Sequence, residues 1–110
     1  MNLSAENITD ATSELQRATR ALHDALSREA DTRFELECQE VEHLTGETPL
    51  PGKNEAERKA HLAKLTSAKR AELHTAEQAT RAARRDLELA RAMLDGLRYQ
   101  LRLLEVAKPA

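Results

Sequence analysis

The residues with the most obvious chemical content lie in the stretch GETPLPGKN, Gly46 to Asn54, where two glycines and a lysine approach the pattern of a phosphate-binding loop. Such a loop spaces Gly, four residues and Gly-Lys-Ser/Thr so that backbone N–H groups curl round the phosphates while the hydroxyl meets magnesium. Here five residues separate Gly46 from Gly52, Pro49 and Pro51 have no donor, and Asn54 stands where the hydroxyl is needed. The preceding segment also has helical periodicity, whereas the motif follows a strand. The stretch is therefore read as a turn between helices. Gly46 takes a left-handed position that ends the first helix, the prolines stiffen the reversal, Asn54 caps the second helix, and Lys53 faces Glu40 or Glu42.

The other chemistry-bearing groups give no assembled centre. Glu40-Val41-Glu42-His43 has the Glu-x-x-His spacing of di-iron bundles, and a hairpin would bring His43 near Glu57 and His61. Such bundles need a second copy of the motif and two further inward carboxylates, and one copy is present. Cys38, the single cysteine, falls on a leucine-bearing stripe among Glu35, Glu37, Glu40 and Glu42, so it is expected to be a small core residue, not an activated nucleophile. The carboxylates form no recognisable acid/base pair, because a hairpin offers no cleft that would separate their pKa values. No catalytic residue, metal site or cofactor is assigned.

Arginine is the remaining candidate. Arg81, Arg84, Arg85, Arg91, Arg98 and Arg102 mark the second half of the chain, and Arg84, Arg91 and Arg98 repeat every seven residues on one helical face that would track phosphates. Glu88 and Asp95 lie at helical spacing from the same arginines and are expected to pair with them. Tyr99 is the one aromatic residue near them that would stack on a base.

The elements that position these groups follow from composition. With 110 residues, 2% aromatic and 33% charged, the chain has little from which to build a thick core. Leu and Ala interleaved with Glu, Lys and Arg mark long helices and coiled coils. One cysteine allows no intrachain disulfide, and neither a signal-like segment nor an 18-residue apolar run is present, so a soluble cytoplasmic protein is expected. Residues 1–50 carry a net charge of about −7 and residues 51–110 about +5, which favours the two halves lying side by side.

Leu15, Leu22, Leu26, Ala30, Phe34, Cys38 and Val41, extended by Ile8, Ala11 and Ala18, predict a first helix over residues 4–45, capped by Ser4 or Asn2. A turn follows over 46–53. Asn54-Glu55-Ala56-Glu57 opens a second helix as a variant capping box, and no proline interrupts it before Pro109, so it is predicted over 54–107. Its stripe is Leu62, Leu73, Ala76, Ala83, Leu87, Ala90, Leu94, Leu97, Leu101 and Leu104, with coiled-coil spacing from Ala83 onward. Thr66, Lys69 and Thr80 weaken the seam before that point. The predicted fold is all-α: a single antiparallel two-helix hairpin over residues 1–110, with the second helix overhanging the first.

One seam does not use all the apolar side chains. Leu89, Met93, Leu103 and Val106 lie to one side of Leu87, Leu94 and Leu101, and a helix apolar over more than one face is covered from more than one direction. The expectation is a homodimer, a four-helix bundle, assembled through Leu87, Leu89, Met93, Leu94, Leu97, Leu101 and Leu104.

The run LPGKNEAERKA, residues 50–60, followed by an uninterrupted helix ending LRYQLRLLEV, resembles small uncharacterised helical-hairpin proteins of bacteriophages and prophages. The resemblance covers roughly half the chain. It implies a phage accessory protein of the host cytoplasm, near DNA replication or recombination, and transfers no site residue. The expected function is a non-catalytic coiled-coil adaptor that self-associates and binds a protein partner. The alternative is a nucleic-acid-binding accessory that uses Arg81, Arg84, Arg91, Arg98 and Arg102. A membrane role is not expected, because acids alternate with the basic face.

Overall fold

The computed structural model describes residues 5–46 and 49–107. Among them the chain forms three helices and no strand: α1 (Ala5–Thr45), α2 (Glu55–Leu65) and α3 (Ser67–Ala107). The proposed caps Asn2 and Ser4, the turn residues Glu47 and Thr48, and Pro109 lie outside the described residues. At the end of α1 the Thr45 hydroxyl donates to Val41 O at 2.7 Å, satisfying a carbonyl of the last turn.

The turn differs from expectation in which glycine is left-handed. Gly52 has φ 144°, whereas Gly46 has no positive φ. The strained position therefore precedes α2 instead of ending α1. Asn54 caps α2 as expected, its Oδ1 accepting from Glu57 N–H at 2.9 Å. Glu57 reaches back one residue further than a standard capping box, accepting from Lys53 N–H at 2.6 Å.

The single helix predicted over 54–107 is interrupted at Thr66, whose φ −104° and ψ 13° depart from helical values. No proline or glycine is there to cause it. Thr66 is the most buried side chain described, 1% exposed, and its hydroxyl donates to Leu62 O at 2.9 Å while its N–H reaches the same carbonyl at 3.0 Å. Thr32 and Thr80 make the same hydroxyl bond inside unbroken helices, so the bond accompanies the break between α2 and α3 without accounting for it. The ladder resumes at once, with Arg70 N–H donating to Thr66 O at 2.9 Å.

Packing divides the chain into two compact units, residues 1–24 with 81–110, and residues 25–80. In the first, the buried side chains are Ala11 from α1 and Ala83, Leu87 and Leu94 from α3, with Leu15, Ala18, Leu22, Ala90 and Leu97 half-buried around them. This is the predicted seam on both helices as far as Leu97; Leu101 and Leu104, which the predicted stripe also includes, are exposed. Small alanines alternating with leucines let the helices approach closely.

In the second unit, the α1 seam is not the predicted one. Thr32 and Leu36 are buried and Ala25, Leu26, Glu29, Gln39, Glu40 and His43 half-buried, whereas Ala30, Phe34, Cys38 and Val41 are exposed. The expected stripe stepped by four from Leu22 to Cys38. At 3.6 residues per turn each such step drifts by about 40°, so the series leaves the seam after Leu26. The true seam alternates threes and fours and passes through polar residues. On the facing side Leu62, Thr66, Ala76 and Thr80 are buried, so the threonines expected to weaken the seam are part of it. Their hydroxyls are satisfied within their own helices: Thr32 donates to Arg28 O at 2.8 Å and Thr80 to Ala76 O at 3.1 Å.

Ion pairs fix this unit's antiparallel register. Glu40 meets Arg70 at 3.1 Å, Glu35 meets Lys69 at 2.7 Å and Arg33 approaches Glu77 at 4.0 Å, so α1 and α3 run in opposite directions. The first two are the acidic-to-basic complementarity seen in the sequence, and the third reverses it.

Candidate interaction surfaces

The turn leaves no phosphate cradle. The N–H of Lys53 is already bound by the Glu57 carboxylate and that of Glu57 by Asn54, so a carboxylate occupies the place a phosphate would need. The Lys53 side chain forms no ion pair among the described residues, neither with Glu42 nor with Glu40, the two expected partners, and Glu40 is taken by Arg70. Among the described residues, no three His, Cys, Asp or Glu side chains are grouped so as to hold a metal ion. Cys38, expected in the core, is exposed on the outer face of α1, because the seam runs past it on the other side.

The strongest electrostatic site is structural in geometry. Lys69 Nζ donates to Glu35 at 2.7 Å and to Glu72 at 2.9 Å. The hydrogen bond to Glu35, then that to Glu72, holds this ammonium above its ordinary pKa of 10.5. Next to it, Arg70 joins Glu40 to Thr66, its Nε donating to the Thr66 hydroxyl at 2.9 Å.

Arg84, Arg85, Arg91, Arg98 and Arg102 are exposed along α3. The carboxylates expected to neutralise them do so sparingly: Asp95 approaches Arg98 at 3.9 Å, and among the described residues Glu88 forms no ion pair. Arg84, Arg91 and Arg102 are likewise without an ion pair among the described residues, whereas Arg81 is engaged in an interaction of its own. An exposed pair as long as Arg98–Asp95 contributes little to stability, on the order of 0–1 kcal/mol.

The expected interface residues separate into two sets. Leu87 and Leu94 are buried and Leu97 half-buried in the seam with α1. Leu89 and Met93 are 64% and 61% exposed, and Leu101 and Leu104 are 38% and 54% exposed. Leu103 and Val106, at 52% and 84%, continue the open surface. Leu89, Ala90 and Met93 also line an open groove of about 330 Å³ whose α1 wall includes Ala18 and Ala21. Glu14 and Arg17 on the α1 wall and Asp86 on the α3 wall make the rim of this groove charged.

A second exposed apolar stripe, on α1 in the other unit, comprises Phe34, Cys38, Val41 and Leu44. Strict three-four spacing through Ala18, Leu22, Ala25, Glu29, Thr32 and Leu36 is the signal that would have found it, by removing those residues from the seam.

No family model matches the sequence, and neither a curated protein nor a solved structure is similar to it. Among the described residues no helix is long and apolar enough to cross a membrane.

Proposed function

We propose that this is a non-catalytic helical interaction protein that self-associates through the outward face of α3 and presents charged helical faces to a protein partner. The observation that carries the reading is the exposure of Leu89, Met93, Leu103 and Val106 on a helix whose seam leucines, Leu87 and Leu94, are already buried. Contiguous exposed apolar side chains mark an interaction site. The groove beside Leu89 and Met93, rimmed by Glu14, Arg17 and Asp86, is open and not an enclosed pocket of the kind that holds a small substrate. The test is the molar mass in solution by sedimentation over a wide concentration range. A dimer or larger oligomer that dissociates in Leu89→Asp/Leu103→Asp supports the reading. A native chain that stays monomeric at millimolar concentration overturns it.

The second reading is nucleic-acid binding by the arginine face, favoured by the exposure of Arg84, Arg91 and Arg102 without ion pairs among the described residues. Binding of single- or double-stranded DNA that weakens steeply with salt, and with Arg84→Glu/Arg91→Glu, would support it. Absence of binding at low salt removes it.

A further inference from the structure

The exposed side of α3 carries a second heptad pattern. Leu89, Ala92, Gly96, Tyr99, Leu103 and Val106 follow one another at steps of three and four, and all are exposed. The seam residues Ala83, Leu87, Ala90, Leu94 and Leu97 follow the same alternation. At about 100° per residue, the two series lie on opposite sides of the helix. One side is covered by α1, and the other has the spacing of a coiled-coil seam without a helix on it.

The order of side-chain sizes along this open seam identifies what covers it. It runs large, small, small, large, large, large: Leu89, Ala92, Gly96, then Tyr99, Leu103, Val106. Read against itself in reverse, each small residue meets a large one. We infer that the occupant is a second copy of the same helix, paired antiparallel about a two-fold axis passing midway between Gly96 and Tyr99. Gly96 then faces the second copy's Tyr99, Ala92 faces its Leu103, and Leu89 faces its Val106. A Cβ built at Gly96 meets nothing within 4 Å, so the space there is open to an incoming ring. Because a two-fold interface is isologous, each contact occurs twice.

Charge agrees with the same register. Asp95 and Arg102 occupy equivalent positions one heptad apart on the margin of the seam, and the antiparallel axis sets Asp95 beside the second copy's Arg102, and Arg102 beside its Asp95. The Asp95 side chain is 74% exposed and held only by the long contact to Arg98, and Arg102 forms no ion pair among the described residues. A parallel pairing would set Asp95 beside the second copy's Gln100 and Arg102 beside its Ala107, giving neither charge a partner, and would stack Gly96 on Gly96, leaving a gap.

This inference rests on the self-association proposed above and specifies its geometry. The test compares dimer dissociation constants by sedimentation for the native protein, Asp95→Arg, Arg102→Asp and the double reversal Asp95→Arg/Arg102→Asp, with helicity checked by circular dichroism. Each single reversal places two like-charged pairs at the interface and is expected to weaken dimerisation about tenfold or more, and the double reversal to restore it to near the native value. As a second readout, Gly96→Leu is expected to keep the helicity of the chain and to abolish the dimer by filling the space for Tyr99. A native dimer sensitive to Leu89→Asp/Leu103→Asp but showing no rescue by the double reversal overturns the register and leaves self-association standing. A monomeric native protein overturns both.

Discussion

Arg70 Nε donates to the Thr66 hydroxyl at 2.9 Å, and that hydroxyl donates to Leu62 O at 2.9 Å, so one buried oxygen joins the last turn of α2 to the first turn of α3. The same guanidinium reaches Glu40 at 3.1 Å and ties the junction to α1. Thr66→Val preserves the shape of the side chain but removes both bonds at a site 1% exposed. The expected loss is about 0.5–1.5 kcal/mol in urea unfolding, the net worth of a hydrogen bond, because the Arg70 side chain is 45% exposed and can turn to water. Thr66→Ser, which keeps the hydroxyl, is expected to retain most of the stability.

The Lys69 contact gives the protein a specific alkaline sensitivity. Bonding to Glu35 and Glu72 raises this ammonium above 10.5, so its contribution to stability is fully present below the unfolded pKa and disappears as pH rises through the higher folded value. The native protein should melt at a higher temperature than Lys69→Met at pH 7, and the difference between them should close above about pH 10.5. Thermal melts of the pair across pH 7 to about 12 check this, and a difference that persists at the alkaline end would contradict the assignment.

Gly52 is required by its backbone. At φ 144° an L side chain is strained, and a Cβ there would lie 3.0 Å from both Arg58 N and Glu57 Cβ, in the capping turn that starts α2. Gly52→Ala is expected to cost about 1–3 kcal/mol, measured by chemical unfolding. Gly46 lacks the positive φ, and its Cβ would meet Glu42 O at 3.0 Å, so Gly46→Ala should cost less than Gly52→Ala.

Helix content, the reversal and the α3 seam from Ala83 to Leu97 are legible because they rest on Leu and Ala at clean heptad spacing and on Gly, Pro and Asn between the helices. The break at Thr66 is not, because threonine in a helix ordinarily satisfies its hydroxyl without interrupting the ladder, as Thr80 does. The α1 register after Leu26 was misread because hydrophobicity favoured Phe34, Cys38 and Val41 over Glu29, Thr32 and Gln39. A threonine whose hydroxyl is satisfied by the carbonyl four residues earlier leaves no mark in a hydrophobic pattern. Periodicity already sets Leu89 and Met93 to one side of Leu87 and Leu94, and burial agrees, but it does not show that α1 alone covers Leu87 and Leu94 and so removes them from an interface with a second copy.

The corrected α1 register makes residues two positions apart respond in opposite ways. Leu36 is 7% exposed and packs in the seam, so Leu36→Ala removes buried methyl groups and is expected to cost about 2–4 kcal/mol. Phe34, two positions earlier, is 66% exposed, and Phe34→Ala should change stability by less than about 1 kcal/mol despite removing the larger side chain. Cys38 lies on the same outer face and supplies an independent check without substitution. Its thiol should react with a chromogenic disulfide reagent in the native protein at a rate on the order of that in the urea-unfolded chain, because access and not an opening event controls the reaction. A native rate slower by several orders of magnitude would return Cys38 to the seam and restore the register that steps by fours.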